Sequence, residues 1–373
     1  MPSAEQRLTR AWYSNSGWLV FLIPFSWLFR LVTRMRRSRL QSKNQGHAFS
    51  SPVVIVGNIS VGGSGKTPLI IAIVNALNKR GYKVGVVSRG YGGKVDRYPL
   101  DIVDGVSAAQ CGDEPLLIAQ SCGCPVVVDL DRVAAVNYLL ANHSCDLVLS
   151  DDGLQHYRLH RDIEIAVVDG TRGLGNQRCL PAGPLRESPR RLQQVDFVLL
   201  NGQPNEDPSN AQNMVFDAGV KAQQISLKPS VFRNLSSDKT VAASQWAESS
   251  SVHAVAAIGN PEAFAGTLRS LGLDVDLTSM NDHQQLHRHN LHFDDSLPVI
   301  ITAKDAVKYT DTIPDNLWVL EVEMHLPPEF VDSLIGASGL LVGAPGLLVG
   351  AQGLLIETKS FAEQLSLASQ NKE

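Results

Sequence analysis

A mostly parallel α/β sheet with helices on both faces is the fold this sequence predicts, joined to a second, smaller α/β unit. Three observations predict it. Short apolar, β-branched runs recur at Val53–Val56, Val84–Val87, Val126–Val128, Leu147–Leu149, Ile163–Val168 and Val195–Leu200, with helical patterns between several of them. Glycines or carboxylates follow most of these runs, at the carboxyl edge where open α/β sheets bind ligands. A chain of 373 residues is long enough for two cores, and a fresh strand–helix pattern begins near residue 235. The expected division is residues 1–45 as a membrane-associating segment, 46–235 as the main core and 236–373 as a smaller unit.

Composition narrows the partners. The net charge of −4 gives no global basic character, which argues against a nucleic-acid partner. The five cysteines, Cys111, Cys122, Cys124, Cys145 and Cys179, form no metal-ligand pattern and read as reduced thiols. From Gly17 to Val32 the chain is apolar and rich in aromatic residues. Arg30, Arg34, Arg36, Arg37, Arg39 and Lys43 follow closely. The apolar part is shorter than the roughly 20 residues a spanning helix needs, and Pro24 lies inside it. A secretory signal would carry its charge first. An aromatic face with a basic flank suits a helix lying on an anionic membrane surface, so peripheral attachment is expected. A buried helix with a solvated basic end is the plainer alternative.

The first strand runs into Gly57-Asn58-Ile59-Ser60-Val61-Gly62-Gly63-Ser64-Gly65-Lys66-Thr67, and an apolar helical pattern follows. Strand, glycine-rich turn, Gly-Lys-Thr and helix, in that order, make a phosphate-binding P-loop. Gly62, Gly63, Ser64 and Gly65 let backbone N–H groups converge on phosphates, and the helix start adds partial positive charge. Lys66 is expected at the β/γ-phosphates and the Thr67 hydroxyl at Mg²⁺. Ser60 stands where the common pattern has its first glycine.

After the second strand comes Ser88-Arg89-Gly90-Tyr91-Gly92-Gly93, a glycine-rich loop. Arg89 is either an anion contact beside Lys66 or a surface arginine in a turn. Gly112-Asp113-Glu114-Pro115 opens a helical pattern, and on the residues alone Asp113 reads as a helix cap. The strand Leu147–Leu149 runs into Ser150-Asp151-Asp152, an acid pair at a strand end as a Walker-B element requires. Adjacent carboxylates repel, and a divalent cation relieves that repulsion. The segment 179–191 is rich in proline and charge, and reads as a rigid connector. Val195–Leu200 is followed by Asn201-Gly202 without a guanine-reading motif. Residues 203–214 are polar and read as a mobile loop. Four histidines crowd residues 283–292, but their irregular spacing disfavours a metal cage. The repeat Gly339-Leu-Leu-Val-Gly-Ala-Pro, copied from Gly346 and begun again at Gly353, has too much glycine for a coiled coil and reads as a local expansion.

Taken together, the P-loop, Ser-Arg-Gly-Tyr-Gly, Gly-Asp-Glu-Pro, Asp-Asp-Gly-Leu-Gln-His, Pro-Ala-Gly-Pro-Leu-Arg-Glu, Ile-Gly-Asn-Pro and Thr-Ala-Lys-Asp-Ala-Val-Lys resemble the tetraacyldisaccharide 4′-kinase family over residues 10–325. The resemblance implies ATP- and Mg²⁺-dependent phosphorylation of the 4′-hydroxyl of a lipid disaccharide 1-phosphate in lipid A biosynthesis. It also implies attachment to the cytoplasmic face of the bacterial inner membrane, with no obligate protein partner. By motif it makes Asp113 the catalytic base and His283 its dyad partner. Asp151, Asp152 and Glu187 become the acidic set around Mg²⁺, and Arg186 and Arg89 the groups that stabilise phosphate charge. The residues alone also admit a membrane-tethered ATPase switch, which needs Lys66, Thr67 and a strand-end acid but no base for a second substrate.

Overall fold

The computed structural model describes residues 4–14, 16–42, 48–95, 97–202 and 220–340. The expected loop at 203–214 and the repeat beyond residue 340 lie outside the described residues. Thirteen strands form one continuous sheet, in the order β11-β10-β12-β13-β8-β7-β6-β1-β5-β2-β4-β3, with β9 paired to β8. The first half holds β1 (Val53–Gly57), β2 (Val84–Ser88), β3 (Leu100–Asp101), β4 (Val126–Val128), β5 (Leu147–Asp151), β6 (Ile163–Asp169) and β7 (Phe197–Asn201). β1 lies between β5 and β6, parallel to both, and every residue of β1, β2 and β5 is buried. Strands covered on both faces read as unbroken apolar runs, which is why these were legible in the sequence.

Two-sided cover is visible in the core. One face of the sheet packs Val54, Val56, Leu147 and Leu149 against Leu69, Ile70, Ile73 and Leu77 of α3 (Lys66–Asn78). The other packs Val53, Ile55 and Val148 against Ala135, Val136 and Leu139 of α6 (Arg132–Asn142). At the amino end stand α1 (Ala4–Tyr13), a 3₁₀ turn Gly17–Leu22 and α2 (Ile23–Ser42), with α4 (Ala108–Cys111) and α5 (Asp113–Cys122) between β3 and β4.

The second half holds β9 (Thr240–Ala242), β10 (Ser251–Ala256), β11 (Asp274–Ser279), β12 (Val299–Thr302) and β13 (Leu317–His325). Its own core gathers Phe232, Val252, Ala254, Leu268, Ile300 and Leu320. The two halves share β8 (Ala222–Asn234), which pairs in parallel with β7 through Ala222–Ile225 and then antiparallel with β13 through Ser226–Asn234. The expected boundary near residue 235 falls just past this shared strand. The chain also returns: helix Pro328–Ser338, inside the expected C-terminal unit, buries Phe330, Val331, Leu334 and Ile335 in the first half's core with Leu69 and Ile73.

Pro24 does not interrupt the amino-terminal helix. It sits in the first turn of α2, where its missing N–H costs no hydrogen bond. The 3₁₀ turn leads straight into α2, and Gly17–Leu40 is long and apolar enough to cross a bilayer by length and composition. Its inner side is docked instead. Ser26 Oγ donates to the Cys179 carbonyl at 2.6 Å and accepts from Ala182 N–H at 3.0 Å, while Arg37 donates to Gln194 at 2.8 Å. Its outer side leaves Trp18, Phe21, Phe25, Trp27, Leu28 and Leu31 exposed.

Candidate active site

The P-loop leaves β1 at Gly57 and enters α3 through Gly65, whose φ of 84° closes a left-handed turn that an L side chain rarely adopts. Gly62 turns likewise at φ 110°. Asn58 holds the loop from within, its Nδ2 donating to Gly62 O and to Ser64 Oγ, each at 3.2 Å. Asn201, at the end of β7, donates to Ser64 O at 3.2 Å. Thr67 follows Lys66 in the first turn of α3.

Asp151 closes β5 beside β1, in register with Val56. Ser88 Oγ donates to its Oδ2 at 3.1 Å, while Oδ1 is buried without a hydrogen-bond partner. Burial, then the charges of Glu114 and Asp152, push the Asp151 carboxyl well above the usual range. Asp152 takes a left-handed φ of 46° that turns its side chain toward Lys66 Nζ at 3.4 Å and Arg186 Nη1 at 3.1 Å. Burial alone would raise Asp152, but these two cations hold it low. A buried carboxylate oxygen with no donor, next to a second carboxylate, is an arrangement a hard divalent cation fits.

The proline-rich segment is not a connector. Residues 184–186 run beside the start of the P-loop, with Val61 N–H donating to Pro184 O at 2.8 Å and Arg186 N–H to Ile59 O at 2.7 Å. That pairing brings Arg186 to Asp152. It does not bring Glu187 there. The Glu187 carboxylate accepts from Gln155 at 2.8 Å and from Tyr157, and it pairs with Arg191 at 3.4 Å and Arg37 at 3.9 Å. Among the described residues, no three His, Cys, Asp or Glu side chains converge as a metal-binding group.

The second constellation spans the two halves of the molecule. Asp113 opens α5 but does not cap it; the cap position belongs to Gly112, at φ 91°. The buried Asp113 Oδ2 lies 3.0 Å from His283 Nδ1, 3.8 Å from Lys304 Nζ and 4.0 Å from Lys308 Nζ. His283, itself at a left-handed φ of 62°, sits with its ring centroid 5.1 Å from that of Tyr91. Burial would raise the Asp113 carboxyl, but the hydrogen bond from His283 and the two lysines lower it. The same hydrogen bond raises His283, against burial and the charge of Lys304. Lys304 also pairs with Glu114 at 3.0 Å, and Glu114 is one of the charges felt by Asp151. Glu114, next to Asp113 in the chain, thus couples the dyad electrostatically to the acid that closes β5.

Arg89 is exposed at the end of β2; burial first, with the charge of Arg89 adding to it, lowers the Arg132 guanidinium. Arg132 is a buried brace that sequence reasoning passed over; it donates to the backbone oxygens of Asp129 and Asp151, each at 3.0 Å. Gln155, Lys304 and Lys308 were also missed as individuals, though each lies inside a quoted motif. The histidine run forms no cage. His283 faces Asp113, while His287, His289 and His292 line an open cavity of about 670 Å³ with Arg288 and Asp311.

Comparisons with known proteins agree with this architecture. The family model described as tetraacyldisaccharide-1-P 4′-kinase matches residues 18–338. The tetraacyldisaccharide 4′-kinase of Ectopseudomonas mendocina is 45% identical over 334 residues, covering 89% of this chain and 96% of its own length. That of Pseudomonas fluorescens is 46% identical over 329 residues, covering 88% and 94%. The crystal structure of LpxK from Aquifex aeolicus in complex with ATP superposes with a TM-score of 0.69 at 25% identity, over 86% of this chain and 99% of that one. With a family match over most of its length, carrying the P-loop, the strand-end acids and the Asp113–His283 pair, this chain belongs to the tetraacyldisaccharide-1-P 4′-kinase family.

Proposed function

We propose that this site moves the γ-phosphoryl group of ATP to the 4′-hydroxyl of a tetraacyldisaccharide 1-phosphate, with Asp113 as the base. The activity itself, a lipid A kinase acting on an alcohol, follows from the family. The observation that carries the residue assignment is the Asp113–His283 pair at 3.0 Å, beside the P-loop acids. An ATPase switch has no use for a buried aspartate held ionised by a histidine hydrogen bond and two lysines.

The glycines of 62–65 and Lys66 bind the triphosphate, and Arg186 stabilises the charge that develops on the transferred group. Asp151 and Asp152, with the Thr67 hydroxyl, are the residues that would hold Mg²⁺, which supplies charge neutralisation of the β- and γ-oxygens. Asp113 accepts the hydroxyl proton at a carboxylate oxygen. His283 orients that carboxylate, and Lys304 keeps it ionised. Arg89, exposed at the edge of β2, is a further contact for phosphate. The outward apolar face of the 3₁₀ turn and α2, with Arg30, Arg34, Arg36 and Arg39 behind it, attaches the protein peripherally to the anionic cytoplasmic face of the inner membrane, where a tetraacylated acceptor resides.

The test supplies ATP, Mg²⁺ and tetraacyldisaccharide 1-phosphate and weighs the lipid product by mass spectrometry. A gain of one phosphoryl group on the non-reducing sugar is expected. Release of phosphate with an unchanged lipid would instead favour the ATPase switch.

A further inference from the structure

Glu187 and Gln155 stand between two parts of the molecule that the kinase reading treats separately. On one side is α2, whose outer face is apolar and exposed. On the other is the ion chain at the P-loop. Gln155 joins three points of that chain: its Nε2 donates to Glu187 at 2.8 Å and to the Asn58 carbonyl at 3.1 Å, while its Oε1 accepts from Arg186 at 3.3 Å. Arg186 continues to Asp152, and Asp152 to Lys66. From Glu187 the network runs the other way. Arg37 of α2 reaches Glu187 at 3.9 Å, and its guanidinium lies 5.9 Å from the centre of the Tyr157 ring. Arg191, which pairs with Glu187 at 3.4 Å, is also bound by Glu164, and Glu164 accepts from Arg161 at 2.8 Å.

The Glu187 carboxylate is thus already partnered: Gln155 and Tyr157 hydrogen-bond to it, while Arg191 at 3.4 Å and Arg37 at 3.9 Å pair with it as charges. Its side chain is only 7% exposed, so turning it to ligate a cation would take one of the two counter-charges from buried Arg191, leaving it Glu164 alone, and would release half-buried Arg37. Arg186, the next residue, is fixed through its own N–H to Ile59 O. The aim of its guanidinium depends on Asp152 and Gln155, and Gln155 is held in turn by Glu187.

Resting on the kinase reading above, we propose that Glu187 is a positioning residue and not a metal ligand: anchored by Arg37 on the membrane-facing helix, it orients Gln155 and through it the Arg186–Asp152–Lys66 chain. The seat of α2 against the body of the protein then sets the geometry of phosphoryl transfer without touching substrate.

The full chain tests this, with the acceptor in mixed phospholipid–detergent micelles and Asp152→Asn as the comparator for a metal ligand. Glu187→Gln and Arg37→Ala are each expected to lower kcat by roughly tenfold to a hundredfold, as misplacement of reacting groups does. The Mg²⁺ concentration at half-maximal rate should stay within about twofold of the parent, whereas Asp152→Asn raises it or abolishes turnover. Arg37→Lys, which keeps the charge on α2, should recover most of the loss. The proposal is overturned if Glu187→Gln raises the Mg²⁺ requirement as Asp152→Asn does, or if Arg37→Ala turns over at the parent rate. Should Glu187→Gln fail to fold, the Arg37→Ala and Arg37→Lys pair decides by itself, and a parent protein that transfers no phosphoryl group fails the kinase reading instead.

Discussion

Asp113 draws its character from three neighbours contributed by the other half of the chain, the His283 imidazole and the ammonium groups of Lys304 and Lys308. Asp113→Asn should keep ATP binding, measured by nucleotide titration, and lose transfer by about 10²-fold or more, since general-base catalysis contributes on that order. Turnover at the parent rate would remove Asp113 from its role. The pH dependence of the pair has a definite sign. His283 is raised above its ordinary 6.5, so its stabilising bond is complete below pH 6.5 and lost as pH rises through the higher folded value. Asp113 is lowered below 3.8, so its contribution is present above pH 3.8 and lost only as pH falls through the lower folded value. Activity should therefore hold between these limits and decline on an alkaline limb above 6.5. His283→Gln, a neutral hydrogen-bonding replacement, should flatten that limb in a rate–pH profile.

At the scale of elements, the turn from β1 into α3 depends on backbone that only glycine adopts freely. Gly65→Ala would place a Cβ at φ 84° against the Asn201 amide, so loss of ATP binding with a lowered Tm is expected by titration and thermal melting. The amino-terminal element makes the opposite kind of prediction. Phe21, 79% exposed, and Phe25 and Trp27 touch little of the protein. Replacing all three by Ser should weaken co-sedimentation with anionic vesicles by more than tenfold, given ~1.5–3 kcal/mol per fully buried large apolar side chain. Tm should stay within a degree or two. Unchanged sedimentation would argue against membrane attachment through this face.

For the whole molecule, β8 and helix Pro328–Ser338 make two crossings between the halves. β8 is hydrogen-bonded in both, and the helix returns Phe330 to the first core, edge-on to Phe197 at 5.3 Å. Phe330 is fully buried, so Phe330→Ala should cost about 3–5 kcal/mol. Because the helix follows the second half's last strand, the loss should appear in denaturant melts as one shared transition, not as release of one half. Two separated transitions would show that these crossings do not couple the halves.

Much of the first half was legible because central parallel strands buried on both faces admit little but Val, Ile and Leu, as in Val53–Val56 and Leu147–Leu149. β8 was missed because it changes partner midway, from β7 in parallel to β13 antiparallel, and β13 because its second half turns polar where its register against β8 shifts at Glu321/Val322. Gly-Lys-Thr and Asp-Asp announced phosphate and cation chemistry through local spacing alone. Local spacing is silent about Asp113, which looked like a helix cap, and about Glu187, which stands beside Arg186 in the chain yet faces different partners. The sequence by itself determined the P-loop, the strand-end acids, the family and the apolar amino-terminal face, since each is written in contiguous residues. The pairing of His283 with Asp113 came from the family resemblance, and only the tertiary structure shows the contact itself, across 170 residues, and that α2 is tied by Arg37 to the loop behind the P-loop. Those contacts are charges brought together across the fold, and their energies depend on burial and distance that no short stretch of sequence contains.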